Sequence, residues 1–348
     1  MRKVDPDDVA PTMAPAPARP PRLGEQPTPR VIWTADLLID TSVLSVAASA
    51  RQLYDRLARQ LAKMTARPDY YGRAHIPWTT LQELAAAPLV SSPGRPGRQE
   101  LLSVVLNLYR ELGDRLSVTA DLKNMIAREW DDPPGSAAYG WQELEPQLVE
   151  CVRGDGRGTK LRALGEAFTT WREEQRRRHA KGVIDLLKKY DKDPRMKEGL
   201  KHALENVGFP DILEWCDDVA AGAIEDFAKL DRAVALPRAK ADPDRYYLTW
   251  TYALLTRLAQ FAQSIPPKER ARGPFGRYAK LLKTHRNDLV DTMLATQGAR
   301  CGVLITQDAG LLERINFLQT RGFIRLQVMD FSDVEANWSP PPVVPVQP

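Results

Sequence analysis

Short apolar runs alternate with longer helical stretches in the first third of the chain. Residues 37–39 predict a buried strand, and the apolar spacing that follows predicts a helix as far as residue 61. Two further short strands are predicted at residues 75–76 and 116–119, with a helix over residues 98–112 between them. Strands that alternate with helices indicate βαβ units, and therefore an α/β fold with a parallel sheet covered on both faces.

The pattern changes after residue 131, where an acidic, Pro-rich break is followed by helical periodicity without a convincing strand. Apolar residues such as Trp250, Leu254 and Leu258 recur at the spacing of a buried helix face. The sheet is predicted to resume at residues 303–306 and to end with residues 323–329. We therefore predict an all-helical insertion within the α/β domain.

These patterns divide the chain into a discontinuous α/β domain and three other segments. Proline-rich sequence at both ends cannot bury a core and predicts disorder or polyproline-like structure. The predicted division is a leader at 1–29, the α/β domain at 30–131 and 275–338, the helical insertion at 132–274, and a tail at 339–348.

Composition excludes several classes of protein. The longest apolar runs are too short for a membrane span, and the three cysteines and four histidines are scattered without the spacing of a zinc site. We therefore expect a soluble protein in a reducing, cytoplasmic setting, with no membrane contact. No Gly-rich fingerprint follows a strand, which argues against a nucleotide-hydrolysing switch or a dinucleotide enzyme.

Acidic residues stand at the ends of the predicted strands and at the starts of the helices. Asp40 closes the first strand, Glu83 opens the helix after the second, and Asp308 closes the strand at 303–306. Asp288 and Asp291 open a late helix, one turn apart on the same face. Because ligands bind at the carboxyl ends of strands in open α/β sheets, these acids could together hold a hard cation.

Each acid also has a purely structural interpretation. Asp40, Asp288 and Asp308 stand where helix N-caps are expected, and Asp291 could complement the helix dipole. Residues 80–83 fit a capping box in which Glu83 would accept from a backbone donor. The cap and the ligand interpretations differ in what a carboxylate contacts, so the structure can separate them.

Four segments resemble, in order, the signature segments of PIN-domain ribonucleases. The segments are residues 39–44, 79–84, 287–295 and 304–308. The resemblance covers the two parts of the predicted α/β domain, and it implies a three-layer α/β/α fold around the parallel sheet.

The resemblance also implies an activity and a set of site residues. Members of the family are typically Mg²⁺- or Mn²⁺-dependent nucleases, so the expected function is endoribonuclease cleavage that leaves 5′-phosphate products. By resemblance, Asp40, Glu83 and Asp308 are three of the catalytic metal ligands, and either or both of Asp288 and Asp291 complete the set. Thr41 and Thr306 would support the carboxylates through hydroxyl hydrogen bonds.

The part of the insertion from residue 153 to residue 201 is basic, with 15 Lys and Arg against eight Asp and Glu, in a chain whose net charge is only +4. One interpretation is a solvated, salt-bridged helix face. The other is a surface that follows RNA phosphates. The residues predicted to bind nucleic acid are Arg172, Arg176, Arg177, Arg178 and Lys181.

Two other functions are compatible with the sequence. A PIN-like scaffold could be a catalytically inactive interaction module, whose insertion binds a regulatory protein or a second copy of the chain. A structure-specific DNA nuclease is the other alternative, although RNA is the favoured substrate. The length of the insertion argues against a compact toxin with a cognate antitoxin.

Overall fold

The computed structural model describes residues 35–66, 71–92, 95–131, 138–139, 141–154, 159–192, 209–265, 276–278 and 288–332. The predicted leader and tail, and Asn287 before the late helix, lie outside these residues.

Six strands form one sheet in the order β4-β3-β2-β1-β5-β6. The strands β3, β2, β1, β5 and β6 are mutually parallel, and β4 pairs antiparallel with β3 at the edge. Their bounds are β1 Ala35–Ile39, β2 Tyr71–Ile76, β3 Leu116–Thr119, β4 Ala138–Tyr139, β5 Gly302–Thr306 and β6 Gln327–Asp330. The predicted α/β class with a parallel sheet is therefore confirmed.

Twelve α-helices connect and flank the strands within the described residues. The first seven are α1 Thr41–Ser49, α2 Arg51–Thr65, α3 Trp78–Ala86, α4 Arg98–Leu112, α5 Leu122–Glu129, α6 Trp141–Arg153 and α7 Thr159–Lys192. The others are α8 Phe209–Ala223, α9 Arg232–Ala241, α10 Tyr247–Ser264, α11 Asp288–Cys301 and α12 Ala309–Thr320. A π-helical segment, Ile224–Ala228, continues α8, and short 3₁₀ turns occupy Gly113–Arg115 and Gly276–Tyr278. No described helix is both long and apolar enough to span a bilayer.

The strands have the positions that their apolar runs predict, with two differences. The last strand begins at Gln327, whereas the sequence predicted a start at residue 323. The second strand begins at Tyr71, whereas the sequence predicted it at residues 75–76, and it lies inside the sheet between β1 and β3 although Pro77 follows it. The ladder tolerates the proline because β2 ends at Ile76, so Pro77 precedes α3 instead of occupying a paired position.

Alternate residues of the central strands enter two different hydrophobic clusters. Leu38 and Leu304 belong to one cluster, whereas Leu37, Ile39 and Val303 belong to the other. Because successive side chains of a strand point to opposite faces, each face of the sheet is covered by its own cluster. This is the burial that a parallel sheet requires.

The predicted insertion shares the core of the sheet. Leu148 and Leu161 lie in one of the two clusters that cover the strands, and Trp250 lies in the other. The prediction that the insertion is entirely helical is wrong in one detail. The two-residue strand β4 belongs to the insertion and pairs with β3 at the edge of the sheet.

The long helix α7 packs along α3 at very short range. Gly165 faces the backbone of Ala85, and a Cβ atom at this glycine would lie only 2.4 Å from the Ala85 carbonyl oxygen. The absence of a side chain at residue 165 therefore allows α7 to approach the helix that carries Glu83.

Candidate carboxylate site

The acids that follow β1 and β5 meet at one edge of the sheet. These two strands are paired, and the Asp40 backbone N–H donates to the Ile305 carbonyl at 3.0 Å just where β1 ends. Asp308 follows β5 by two residues. The shared carboxyl edge predicted from the sequence is thus present.

The Asp40 side chain does not cap a helix. It makes no capping hydrogen bond to α1, although Asp40 occupies the N-cap position. Instead, the hydroxyls of Ser42 and Thr306 both donate to Asp40 Oδ2 at 2.5 Å, and the residue is only 4% exposed. Burial raises the pKa of Asp40 above its ordinary value and the negative charge of Asp308 raises it further, although the two hydroxyl hydrogen bonds oppose this.

Glu83 is not part of a capping box. Helix α3 begins at Trp78, so Glu83 lies beyond the first turn, and the N-cap residue Pro77 has no side-chain hydrogen bond. The Thr41 hydroxyl donates to Glu83 Oε2 at 2.5 Å. Burial raises the pKa of Glu83 to about 7, and nearby Asp40 raises it as well, while Arg172 and the Thr41 hydrogen bond lower it.

Asp308 does cap a helix. Its Oδ1 accepts from the backbone N–H of Leu311 at 2.9 Å, in the first turn of α12. Its own backbone N–H donates to Thr306 Oγ1 at 3.0 Å, so the same threonine is hydrogen-bonded to both Asp40 and Asp308. The cap interpretation is confirmed for this acid, yet its charge still raises the pKa of the neighbouring carboxyl groups.

The two acids of α11 have different surroundings. Asp288 is 2% exposed and forms an ion pair with buried Arg314, with 2.8 Å between Oδ1 and Nη1, and it also accepts from Gln263 Nε2 at 3.2 Å. Asp291 is also buried, but burial and the charges of Asp308 and Asp40 raise its pKa well above the ordinary value, and attraction to Arg314 only partly offsets this. Asp291 is therefore the acid of this helix whose pKa is raised by the charges of Asp308 and Asp40.

The hydroxyl contacts extend beyond those predicted. Thr41 and Thr306 hydrogen-bond to Glu83 and Asp40, as the resemblance implied. Ser42, which the sequence did not single out, donates to Asp40 and also accepts from the backbone N–H of Gln307 at 3.0 Å. A serine two residues after an acid at a strand end is the signal that could have identified it.

The donor types at this edge suit a hard cation such as Mg²⁺ or Mn²⁺, which prefers carboxylate oxygens. Mutual repulsion and burial also favour neutralisation of these groups, either by protons or by a cation. However, no three or more His, Cys, Asp or Glu side chains of the described residues stand together in an arrangement that could hold a metal ion. The residues thus fit a cation in chemistry and in charge, but among the described residues their side chains are not arranged as a group of metal ligands.

The predicted basic surface is divided between two sides of α7. Arg172 lies partly buried on the side that faces α3, and its charge acts on Glu83. Its guanidinium lies 5.7 Å from the centre of the Phe168 ring, and its buried Nε has no hydrogen-bond partner in the part of the chain that the structure describes. Arg177 and Lys181 are exposed, whereas Arg176 is partly buried and the side chain of Arg178 lies outside the described set.

The exposed side of α7 is not uniformly basic. Glu173 and Glu174 are exposed there beside Arg177, and Arg162 pairs with Glu166 one turn apart. The solvated, salt-bridged interpretation therefore describes much of this surface, and Arg172 is distinguished from the other basic residues by its position beside the carboxylates.

Comparisons of the chain with protein-family models, with curated proteins and with solved structures give no match.

Proposed function

We propose that the protein is a Mg²⁺- or Mn²⁺-dependent endoribonuclease built on a three-layer, PIN-like α/β/α fold. The observation that carries the proposal is the group of Asp40, Glu83 and Asp291, whose pKa values are all raised by burial and by neighbouring carboxylates at one edge of the sheet. Buried acids that repel one another destabilise a fold, and such groups are concentrated at functional sites.

The residues that would hold the cation are Asp40, Glu83, Asp291 and Asp308. A bound divalent cation would supply a polarised water and offset the charge that develops on a phosphodiester. Asp288 is not needed in this set because Arg314 already neutralises it. The ambiguity between the two acids of α11 is thereby reduced to a preference for Asp291.

The hydroxyl groups of the site would position the carboxylates. Thr306 and Ser42 fix the direction of the Asp40 carboxyl group by donating to the same oxygen. Thr41 does the same for Glu83, whose pKa of about 7 leaves this group able to take up or release a proton near neutral pH.

Arg172 is the basic residue best placed to contact a substrate phosphate. It lies close enough to Glu83 to lower the pKa of that group. An arginine next to a carboxylate cluster can hold a phosphate oxygen while the acids hold a cation. RNA is the proposed substrate because of the resemblance to PIN-domain ribonucleases.

The test is Mn²⁺ binding by calorimetry together with cleavage of a mixed-sequence single-stranded RNA. We expect the wild type to bind Mn²⁺ and to cut RNA, and both properties to be lost in Asp40→Asn and in Asp291→Asn. Asp121→Asn is the matched control, since Asp121 also follows a strand but caps α5 by accepting from Asn124 N at 2.9 Å. Loss of cleavage in the control as well would indicate a general structural effect.

A catalytically inactive interaction module is the second candidate. It is favoured by the Asp288–Arg314 ion pair, by the capping role of Asp308, and by the lack of a ligand set among the described residues. Absence of Mn²⁺ binding by the wild type, even with RNA present, would support this candidate. A strong preference for branched DNA over single-stranded RNA would instead support a structure-specific DNA nuclease.

A further inference from the structure

One arginine side chain is enclosed among the acids of the candidate carboxylate site. Arg314 lies in the second turn of α12, the helix that Asp308 caps, and it is 3% exposed. Its Nη1 lies 2.8 Å from Asp288 Oδ1. Because a guanidinium stays charged in proteins, this side chain places a fixed positive charge in the interior of the site.

Both carboxylate oxygens of Asp288 contact protein groups. Its Oδ1 faces the guanidinium of Arg314, and its Oδ2 accepts from Gln263 Nε2 at 3.2 Å. A cation would therefore compete with these two groups for the carboxylate. This competition helps to explain why the acids at this edge, within the part of the chain that the structure describes, are not arranged as a group of metal ligands.

The charge of Arg314 also reaches Asp291. This acid lies one turn after Asp288 in α11, and residues at this spacing share a helix face. Burial and the charges of Asp308 and Asp40 raise the pKa of Asp291, and attraction to Arg314 opposes them. One guanidinium thus acts on both acids of α11, in the same direction as a bound cation would.

A purely structural ion pair is the alternative interpretation of Arg314. Buried ion pairs contribute little net stability, because the cost of removing two charges from water offsets their attraction. The two interpretations differ in what the loss of Arg314 should do. A structural pair would lose only stability, whereas a counter-ion would also cease to compete with a metal ion.

We propose that Arg314 is a built-in counter-ion of the carboxylate site, which competes with a divalent cation for Asp288 and Asp291 and thereby limits the affinity of the site for metal. The inference rests on the cation site of the proposed function, since it concerns the affinity of that same site. Like charges repel, so the guanidinium opposes the binding of a cation by these acids. Removal of its charge should therefore tighten Mn²⁺ binding even though it weakens the fold.

The experiment is calorimetric titration of the full chain with Mn²⁺, together with thermal unfolding in the presence and absence of Mn²⁺. Arg314→Met should raise the affinity for Mn²⁺ about tenfold or more, because a positive charge is removed and Asp288 is released from its ion pair. A tenfold higher affinity corresponds to about 2 °C more stabilisation by Mn²⁺ than in the wild type, for a chain of this size. Arg314→Lys keeps the positive charge, so its affinity should stay within about threefold of the wild-type value.

A second comparison holds even if Arg314→Met does not fold without metal. In Asp288→Asn the charge of Arg314 still acts on Asp291, whereas in Asp288→Asn/Arg314→Met it is absent, and neither protein keeps the ion pair. We expect Mn²⁺ to bind the double variant more tightly than Asp288→Asn. Arg257→Met is the matched control, because Arg257 is 6% exposed and pairs with Asp218 within the insertion, so its loss should lower stability without changing the affinity for Mn²⁺.

The outcomes separate this inference from the proposed function. Tighter Mn²⁺ binding in both proteins that carry Arg314→Met, each relative to its parent, would support the counter-ion. Wild-type binding that neither substitution of Arg314 by methionine improves would overturn the counter-ion and leave the proposed function intact. Binding by Arg314→Met without binding by the wild type would support the counter-ion and contradict the proposed function. Absence of binding in all of these proteins would overturn both.

Discussion

The two acids of α11 should respond to the same substitution in opposite ways. In Asp288→Asn, the guanidinium of Arg314, which is 3% exposed, loses its ion pair with Asp288, whereas in Asp291→Asn a carboxylate is removed from a group that repels it. We therefore expect Asp288→Asn to lower the free energy of unfolding and Asp291→Asn to leave it unchanged or raise it.

The magnitude follows from burial on both sides of the ion pair. Removing one member of a buried pair costs about 3–5 kcal/mol, because the other charge is left in a site that solvent does not reach. Asparagine keeps one acceptor for Arg314, so we expect the lower end of this range, about 3 kcal/mol for Asp288→Asn. This corresponds to a decrease in melting temperature of about 4 °C for a chain of this size.

The sign for Asp291 follows from its raised pKa. The Asp291 carboxyl group binds its proton more tightly in the folded state than in the unfolded state, where its pKa has the ordinary value of 3.8. Once the pH exceeds this value, ionisation of Asp291 lowers the free energy of unfolding. Asparagine does not ionise, so Asp291→Asn removes this loss at neutral pH.

Thermal and urea unfolding of both variants at neutral pH, without added metal, would measure these effects. The double variant Asp288→Asn/Arg314→Met should recover part of the stability lost in Asp288→Asn, because the buried guanidinium that lost its ion pair with Asp288 is then replaced by an apolar side chain. A stable Asp288→Asn together with a destabilised Asp291→Asn would reverse the assignment of the two acids and refute the reasoning.

Three further predictions concern Glu83 and helix α7. Between about pH 4 and about pH 8, the wild type should lose about 3 kcal/mol of stability relative to Glu83→Gln, because the pKa of Glu83 is raised from 4.5 to about 7 in the folded state. Urea unfolding of both proteins across this pH range would measure the difference. Gly165→Ala should lower stability by about 1–3 kcal/mol in thermal melts by forcing α7 away from α3, whereas Gly222→Ala should not. Arg172→Ala should weaken RNA binding in fluorescence anisotropy more than Arg177→Ala, because the charge of Arg172 acts on Glu83 whereas Arg177 is exposed.

The order and class of the elements could be predicted from the sequence. The spacing of apolar residues and the positions of the polar residues between them are local properties of the chain. The third strand and the helix over residues 98–112 have their predicted bounds, and β1, β2 and β5 contain the predicted segments. The last strand was predicted to start too early because the apolar residues before it are also buried. Phe323 and Ile324 lie in the core, although they precede the strand, which begins at Gln327.

The site was less predictable because it depends on contacts between residues far apart in sequence. The spacing of Asp288 and Asp291 shows only that they share a helix face, while Arg314, which separates their roles, comes from another helix. Arg172 belonged to a basic run in which nothing local distinguished it from Arg177. Its special position arises because Gly165 brings α7 onto α3.

The acids that follow β1, β3 and β5 show why a strand-end carboxylate alone does not identify a ligand. Asp121 and Asp308 each accept from a backbone N–H in the helix that follows, so a cap explains them. Asp40 stands at an equivalent position, but the hydroxyls of Ser42 and Thr306 hold its side chain away from that role and within reach of the other acids' charges. Because two hydroxyl donors offset only part of the cost of burying a repelled carboxylate, Asp40 is the acid whose position a bound cation would explain best.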